Sequence, residues 1–265
     1  MTMHLAPKID CETFSAELVD RVGVLRFKKD FLLRTSDLTA RDRMLDYFDL
    51  YDKDEKIKAM VIFGAPDSKG RDEYLGFYHK ASQQGVDSDF IHRMMNVINQ
   101  IILKIVELDK IVVYANSGRI LPHFLNVSFA ADFTIFADNA VIQNPCMEMG
   151  LVPKGGGAYF LSKMFGKPKA YDFLLSEKEI TAHDALQMGI VNEVVPVGVL
   201  EERAMEVAEQ FAKMPATSLW GIKKLINYSC KDLSDYLEFE NQISLKTCRK
   251  SESLRNCGSR SGRAI

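Results

Sequence analysis

Short apolar runs that alternate with amphipathic stretches constrain this chain most. Residues 59–63 and 111–115 contain no charged side chain, and 133–136 and 141–143 are nearly as apolar. Runs this short and this uniformly apolar read as strands buried on both faces, the pattern of a parallel sheet. Between them lie helical periods. Over 37–51, Leu38, Arg41, Leu45 and Phe48 fall on one face, with Ser36 as a candidate N-cap. From Asp89, the residues Phe90, Met94, Val97, Ile98, Ile101 and Ile105 recur at steps of three and four. Residues 17–27 read as two short strands around an Asp20–Arg21 turn, and 64–72 as a loop rich in Gly, Pro and Asp. The alternation predicts α/β architecture with parallel pairing.

After Thr181 the character changes. Thr181 caps a short helix over 182–188 that Gly189 ends, and 190–195 is a strand closed by Pro196. Three helices are expected beyond it, at 200–213, 218–228 and 232–250. The organisation is then an α/β core over 1–197 and a helical oligomerisation region over 198–265. The stretch from Lys246 on holds Arg249, Lys250, Arg255, Arg260 and Arg263 against Glu252 alone, and reads first as a solvated, mobile basic tail, with a role in gripping phosphates as the alternative. Trp220 and the pair Met94 and Met95 read as core.

The 265 residues, 47% hydrophobic, suffice to bury a full core without disulfides or metals. The formal charge of −2 gives no basic excess for nucleic acid. Cys11, Cys146, Cys230, Cys248 and Cys257 are odd in number and form no CxxC pair, which argues against a disulfide framework or a zinc site. The most apolar stretch, 98–115, is interrupted by Lys104, Glu107, Asp109 and Lys110, so no membrane span is expected. No signal-type apolar run opens the chain, and a cytoplasmic location is the default expectation.

Two segments carry a family resemblance. Residues 181–196 follow the pattern of a Thr cap, Ala182, Ala185, Gly189, Ile190, Val191, Asn192, paired valines and Pro196. Residues 110–157 repeat an ordered series: a strand, Gly118, Ala130 to Asp132, Asn139 with Ala140, then Gly150 and the triplet Gly155, Gly156 and Gly157. Together these resemble the enoyl-CoA hydratase/isomerase (crotonase) family. The resemblance implies a spiral of ββα units with a C-terminal helical trimerisation region, and assembly as a homotrimer or dimer of trimers. It also implies an acyl-CoA substrate whose thioester oxygen sits between two backbone N–H groups, with no cofactor beyond the coenzyme A of the substrate and no metal.

Carried over residue by residue, the resemblance places the first N–H at Lys69, within the run from Ser68 to Asp72, and the second at His123. An ordinary Gly-containing turn is the alternative for the first. At the second, Pro122, His123 and Phe124 stand where the family usually has glycines that let the backbone approach a ligand. The two catalytic glutamates of a hydratase fall at Asn126 and Cys146, and a third site-facing carboxylate position at Lys154. Neither an amide nor an ordinary thiol does the proton work of a carboxylate. Glu148, two residues past Cys146, is the nearest acid, and a salt-bridged surface role is its simpler reading. Lys154 with His123 would favour an anionic acyl group; a solvated lysine and a packed histidine are the alternatives. Cys146 reads first as a small core residue. Three functions stay open: an acyl-CoA enzyme with altered chemistry, such as β-dicarbonyl hydrolysis or decarboxylation; an inactive binding or scaffold protein; and an RNA-associated homologue, against which the charge counts.

Overall fold

The computed structural model describes residues 8–29, 31, 34, 38–65, 69–82 and 88–251, with some side chains of 38, 77–95 and 248 outside that description. The described residues open with β1 (Ile9–Asp10), β2 (Phe14–Val19) and β3 (Val22–Phe27). β2 and β3 form the expected hairpin, with Val19 opposite Val22 and Asp20 at φ 53° in the turn. Then follow α1 (Leu38–Lys53), β4 (Ala59–Phe63), α2 (Arg71–Ser82), α3 (Ser88–Glu107), β5 (Ile111–Asn116), β6 (Arg119–Ile120) and α4 (Pro122–Ala130). The remainder is β7 (Phe133–Ala137), β8 (Val141–Ile142), α5 (Gly157–Leu175), β9 (Ile180–Thr181), α6 (Ala182–Gln187), β10 (Glu193–Val195), α7 (Leu200–Ala212), α8 (Ala216–Asn227) and α9 (Leu233–Lys250).

Seven strands form one sheet in the order β1-β2-β3-β4-β5-β7-β10, and β6-β8-β9 form a second. From β3 onward the large sheet is parallel. All five residues of β4 and all six of β5 are buried, because both faces of the sheet are covered. Alternation divides them. Ala59, Val61, Phe63, Val113 and Ala115 meet α7 on one face. Met60, Ile62, Val112 and Tyr114 join the larger core with α1, α3, α4 and α5 on the other. α7 therefore packs as part of the α/β core.

Several boundaries differ from expectation. In α1 the buried face is Ala40, Met44, Tyr47, Phe48 and Tyr51, rotated from the Leu38/Arg41/Leu45 stripe; the tyrosines supply the apolar surface, and Tyr47 donates to the carbonyls of Glu17 and Val24. Ser36 lies outside the described residues. Arg71 and Asp72 begin α2 instead of ending a loop, and Asp72 and Glu73 suit the first turn of a helix. The strand expected over 190–195 shortens to Glu193–Val195, since Asn192 uses its side chain as well as its backbone to bond Thr134. Trp220 is 48% exposed, not core; its indole N–H donates to Asp109 at 3.1 Å. The side chains of Met94 and Met95, and the basic tail beyond 251, fall outside the described residues.

α8 is fastened by polar side chains at the C-terminal end of α3. Lys223 donates to the carbonyls of Ile105 (3.1 Å) and Lys110 (2.9 Å) and to Asp132 (2.7 Å). Lys224 donates to the Glu107 carbonyl and Asn227 to that of Val106. Carbonyls that a helix end leaves unsatisfied are met here by a second helix. α6 starts as read: the Thr181 hydroxyl accepts from the Asp184 N–H while the Asp184 carboxylate accepts from the Thr181 N–H, a capping box. Thr181→Ala is expected to lower stability by about 1 kcal/mol, read as a shift of the urea midpoint; an unchanged midpoint would show the cap to be idle.

Candidate functional site

Four of the residues singled out from sequence come together in the interior. His123 and Asn126 lie in the first turns of α4, Cys146 in the turn after β8, and Lys154 just before α5. Their exposures are 0%, 2%, 1% and 0%. Lys69 stands apart as an exposed residue at the entry to α2, with Ser68 outside the described residues. The elements meet through Tyr74 of α2. Its ring centroid lies 5.1 Å from that of His123, and its hydroxyl is 3.0 Å from the Cys146 sulfur.

α4 begins at Pro122, whose missing N–H costs nothing in a first turn. Its N-cap Leu121 supplies no side-chain acceptor. The first turn, with His123 in it, is the positive end of the helix dipole, which attracts negative charge. The ring of Phe124 packs against Phe27 and Phe31, so the bulk that replaces glycine here faces the core.

Each side chain at a carried-over carboxylate position makes a specific contact. Asn126 donates its amide to the Lys154 carbonyl at 2.7 Å. Gly157 allows this approach, because a Cβ there would lie 2.9 Å from the Asn126 carboxamide oxygen. Cys146 meets Tyr74, and burial pushes its thiol up to about 12, so it remains protonated and unreactive near neutral pH. Lys154 directs its ammonium to Asn99 of α3 at 2.8 Å and to Glu240 of α9 at 3.5 Å. Burial lowers this ammonium to about 8, while Glu240 opposes the shift. The Glu240 carboxyl is raised by the same burial, against Lys154 and two backbone donors, the N–H groups of Gly155 (2.7 Å) and Gly156 (2.9 Å). The ammonium and the two backbone donors favour the carboxylate form of Glu240, against its burial. Glu148 takes its simpler reading, exposed and paired with Arg71 at 2.5 Å.

Sequence reasoning missed Glu240, Asn99 and Tyr74. A signal existed for the first two. In α9, Leu233, Leu237, Glu240, Asn241 and Ser244 share the buried stripe. In α3, Asn99 is buried beside Ile98, Ile101 and Ile102. Polar residues inside an apolar stripe require partners.

Burial, and then the Lys154 charge, hold the His123 imidazole down at about 3, against 6.5 for an ordinary histidine. The sign follows from linkage. Below 6.5 the unfolded chain gains a proton that the folded chain refuses, so this contribution is complete above 6.5 and is lost on acidification toward 3. The expected loss approaches about 1.4 kcal/mol per pH unit well below 6.5, and is about 1 kcal/mol between pH 6.5 and 5.5. Urea midpoints at about pH 6.5 and about pH 5.5 should diverge for the wild type and less so for His123→Gln. Equal slopes would mean that the imidazole protonates in place.

A crevice of about 380 Å³ opens where β3, β4 and β5 end, bordered by Arg26, Lys28, Gly64, Asn116 and Ser117. Arg26 lies over the Phe63 ring and pairs with Glu201, and Lys28 pairs with Asp10. Carboxyl ends of parallel strands are where α/β sheets commonly receive ligands.

Residues 22–258 match the sequence model of the enoyl-CoA hydratase/isomerase family. The chain belongs to this family. Among curated family members, it is 26% identical to a trans-2-decenoyl-[acyl-carrier-protein] isomerase of Streptococcus mutans, over 77% of this chain and 78% of that protein. It is 25% identical to a probable enoyl-CoA hydratase of Rhizobium meliloti, over 88% of each. A carnitinyl-CoA dehydratase of Citrobacter koseri is 32% identical over 122 residues, so this chain matches about half of that relative, 47% of its length. The fold agrees with that of an enoyl-CoA hydratase from Bacillus halodurans, with a TM-score of 0.79 at 20% identity over 94% of this chain and all of the other. A putative enoyl-CoA hydratase/isomerase from Acinetobacter baumannii gives 0.74 at 20% identity, over 95% and 99%. The crotonase-like architecture expected from the sequence is thus the architecture of the chain. Among the described residues, no helix is long and apolar enough to cross a membrane.

Proposed function

We propose that this family member binds an acyl-CoA thioester without hydrating enoyl-CoA. The observation that carries the reading is the state of Asn126, Cys146 and Lys154. All three are buried, and each is engaged with protein: the Lys154 carbonyl, Tyr74, and the Asn99/Glu240 pair respectively. No carboxylate stands at these positions to activate water and protonate the α-carbon. A thioester oxygen at the N-terminal end of α4 would still be favoured by the positive end of the helix dipole, which supports an enolate.

Two reactions use an enolate without a carboxylate pair. Decarboxylation needs a carboxylate on the acyl group, and the buried Lys154 that could receive it already faces Glu240. Hydrolysis of a neutral β-dicarbonyl acyl group has no such need and is the chemistry we favour: the oxygen of a water molecule adds to the β-carbonyl carbon, the Cα–Cβ bond breaks with its electron pair leaving as the thioester enolate, and the α-carbon takes up the proton that the water releases. Binding without turnover is the second reading, favoured by the near-complete burial of His123, Asn126, Cys146 and Lys154. Self-association as a trimer or dimer of trimers belongs to the same proposal; the outward face of α8 exposes Ile222, Leu225 and Ile226.

The test is thermal denaturation with acetoacetyl-CoA beside free CoA. A ligand at about a hundred times its dissociation constant adds roughly 2.7 kcal/mol. A shift with the ester, followed by loss of the ester on incubation, supports the enzyme reading. A shift with the ester unchanged supports binding alone. No shift with either ligand removes the thioester site.

A further inference from the structure

We propose that the crevice at the carboxyl ends of β3, β4 and β5 is a second ligand site, built for a small molecule that carries a phosphate group. The register of the sheet assembles it. Asp10 pairs with Ser15, Ser15 with Arg26, Arg26 with Phe63, and Phe63 with Ala115, so one row crosses five strands. Partners directly opposite one another put their side chains on the same face. Phe63 and Ala115 identify that face as the one covered by α7. Lys28 and Ser117, just past the ends of β3 and β5, complete the rim with Glu201 of α7. Cys146 and the buried face of α4 pack on the other side of the sheet, so the crevice stands apart from the cluster of His123, Asn126, Cys146 and Lys154.

The lining favours an anion, since two cations, Arg26 and Lys28, face it against one acid, Glu201. Each cation has a protein partner, but the carboxylates of Glu201 and Asp10 are 65% and 68% exposed. Pairs this exposed are weak, and an anion entering the crevice can take over both cations. Lys154 differs, because its acid Glu240 is 5% exposed and fixed by two backbone donors. Arg26 lies over the Phe63 ring at 4.2 Å, which sets the plane of its donors. A planar guanidinium matches two oxygens of a phosphate, and the hydroxyls of Ser15 and Ser117 supply donors for the others. Val197 and Leu200 make the remaining wall apolar. The volume of about 380 Å³ exceeds the needs of a bare phosphate and falls within the range of small-molecule sites. The ligand class is therefore a phosphate monoester with a small apolar or planar body.

Phenyl phosphate, inorganic phosphate and phenol are the probes, titrated calorimetrically into the full chain at fixed ionic strength. Phenyl phosphate is expected to bind about tenfold or more tightly than either fragment, because each fragment fills only part of the crevice. Arg26→Gln should weaken phenyl phosphate by about tenfold, through loss of the charged donor. Glu201→Gln should strengthen it by about threefold, since the competing acid is gone and the shape is kept. No binding of phenyl phosphate by the wild type overturns the proposal. So does binding that Arg26→Gln leaves unchanged or that Glu201→Gln weakens. If Arg26→Gln does not fold, Lys28→Gln takes its place with the same expected loss. Displacement of phenyl phosphate by acetoacetyl-pantetheine, which carries no phosphate, would merge the crevice with the thioester site and overturn it as a second site.

Discussion

Glu240→Ala is expected to destabilise the protein by about 3–5 kcal/mol, the usual cost of removing one member of a buried ion pair. Three losses combine. The Lys154 ammonium keeps only Asn99 as an acceptor, at 0% exposure. The N–H groups of Gly155 and Gly156 lose the acceptor they share. The truncated side chain also leaves a gap against α5, whose Phe160 ring lies against Gly156. Lys154→Met with Glu240→Gln tests the electrostatic share, since it removes both charges and retains an acceptor for one N–H. The double variant should recover more than half of the loss, because a buried pair replaced by neutral groups of similar volume is often nearly neutral in stability. Urea unfolding gives both values. A cost below about 1 kcal/mol for Glu240→Ala would mean that water reaches the pair, and the reading of a sealed polar cluster would fail with it.

The fold was legible because its signals are local and repeated. The apolar run of β4 coincides with its strand, and Thr181, Asp184 and Gly189 delimit α6 within a few residues, where cap chemistry acts over one turn. α2 was missed because a stretch with Gly70, Arg71 and Asp72 at its start looks like a loop until Tyr74 is seen buried against Cys146 and His123. The candidate site was half legible. The convergence of His123, Asn126, Cys146 and Lys154 followed from the ordered series in 110–157. Their partners did not. Asn99, Tyr74 and Glu240 come from α3, α2 and α9, and nothing in the spacing of 110–157 shows which distant helix faces it. For Lys154 this matters most, since its charge is visible in the sequence and the neutralisation of that charge is not.

Crotonyl-CoA is expected not to be hydrated at a measurable rate. A positioned acid or base contributes roughly 10²–10⁴-fold, and an enzyme with neither stands lower by the combined factor. Reintroducing the acids, Asn126→Glu with Cys146→Glu, is expected not to restore the reaction. The Asn126 amide donates to the Lys154 carbonyl at 2.7 Å, and a carboxylate there would face that carbonyl with no hydrogen to give. It would also be one methylene longer beside Gly157, in a place where a Cβ on that glycine already would lie 2.9 Å from the Asn126 oxygen. At 146 the new carboxylate would replace a thiol that is 1% exposed and in contact with Tyr74, and would be desolvated without a cation. The double variant should therefore lose stability before it gains chemistry. The check is loss of the enoyl absorbance of crotonyl-CoA, followed for the wild type and for the variant beside a urea titration of each. Hydration by the wild type would show that water and a proton donor reach the thioester by another route, and the proposal that this family member does not hydrate would be withdrawn. Hydration by the variant alone would show that the space around 126 and 146 yields to substrate, and that the absence of two carboxylates, not closure of the pocket, is what separates this chain from a hydratase.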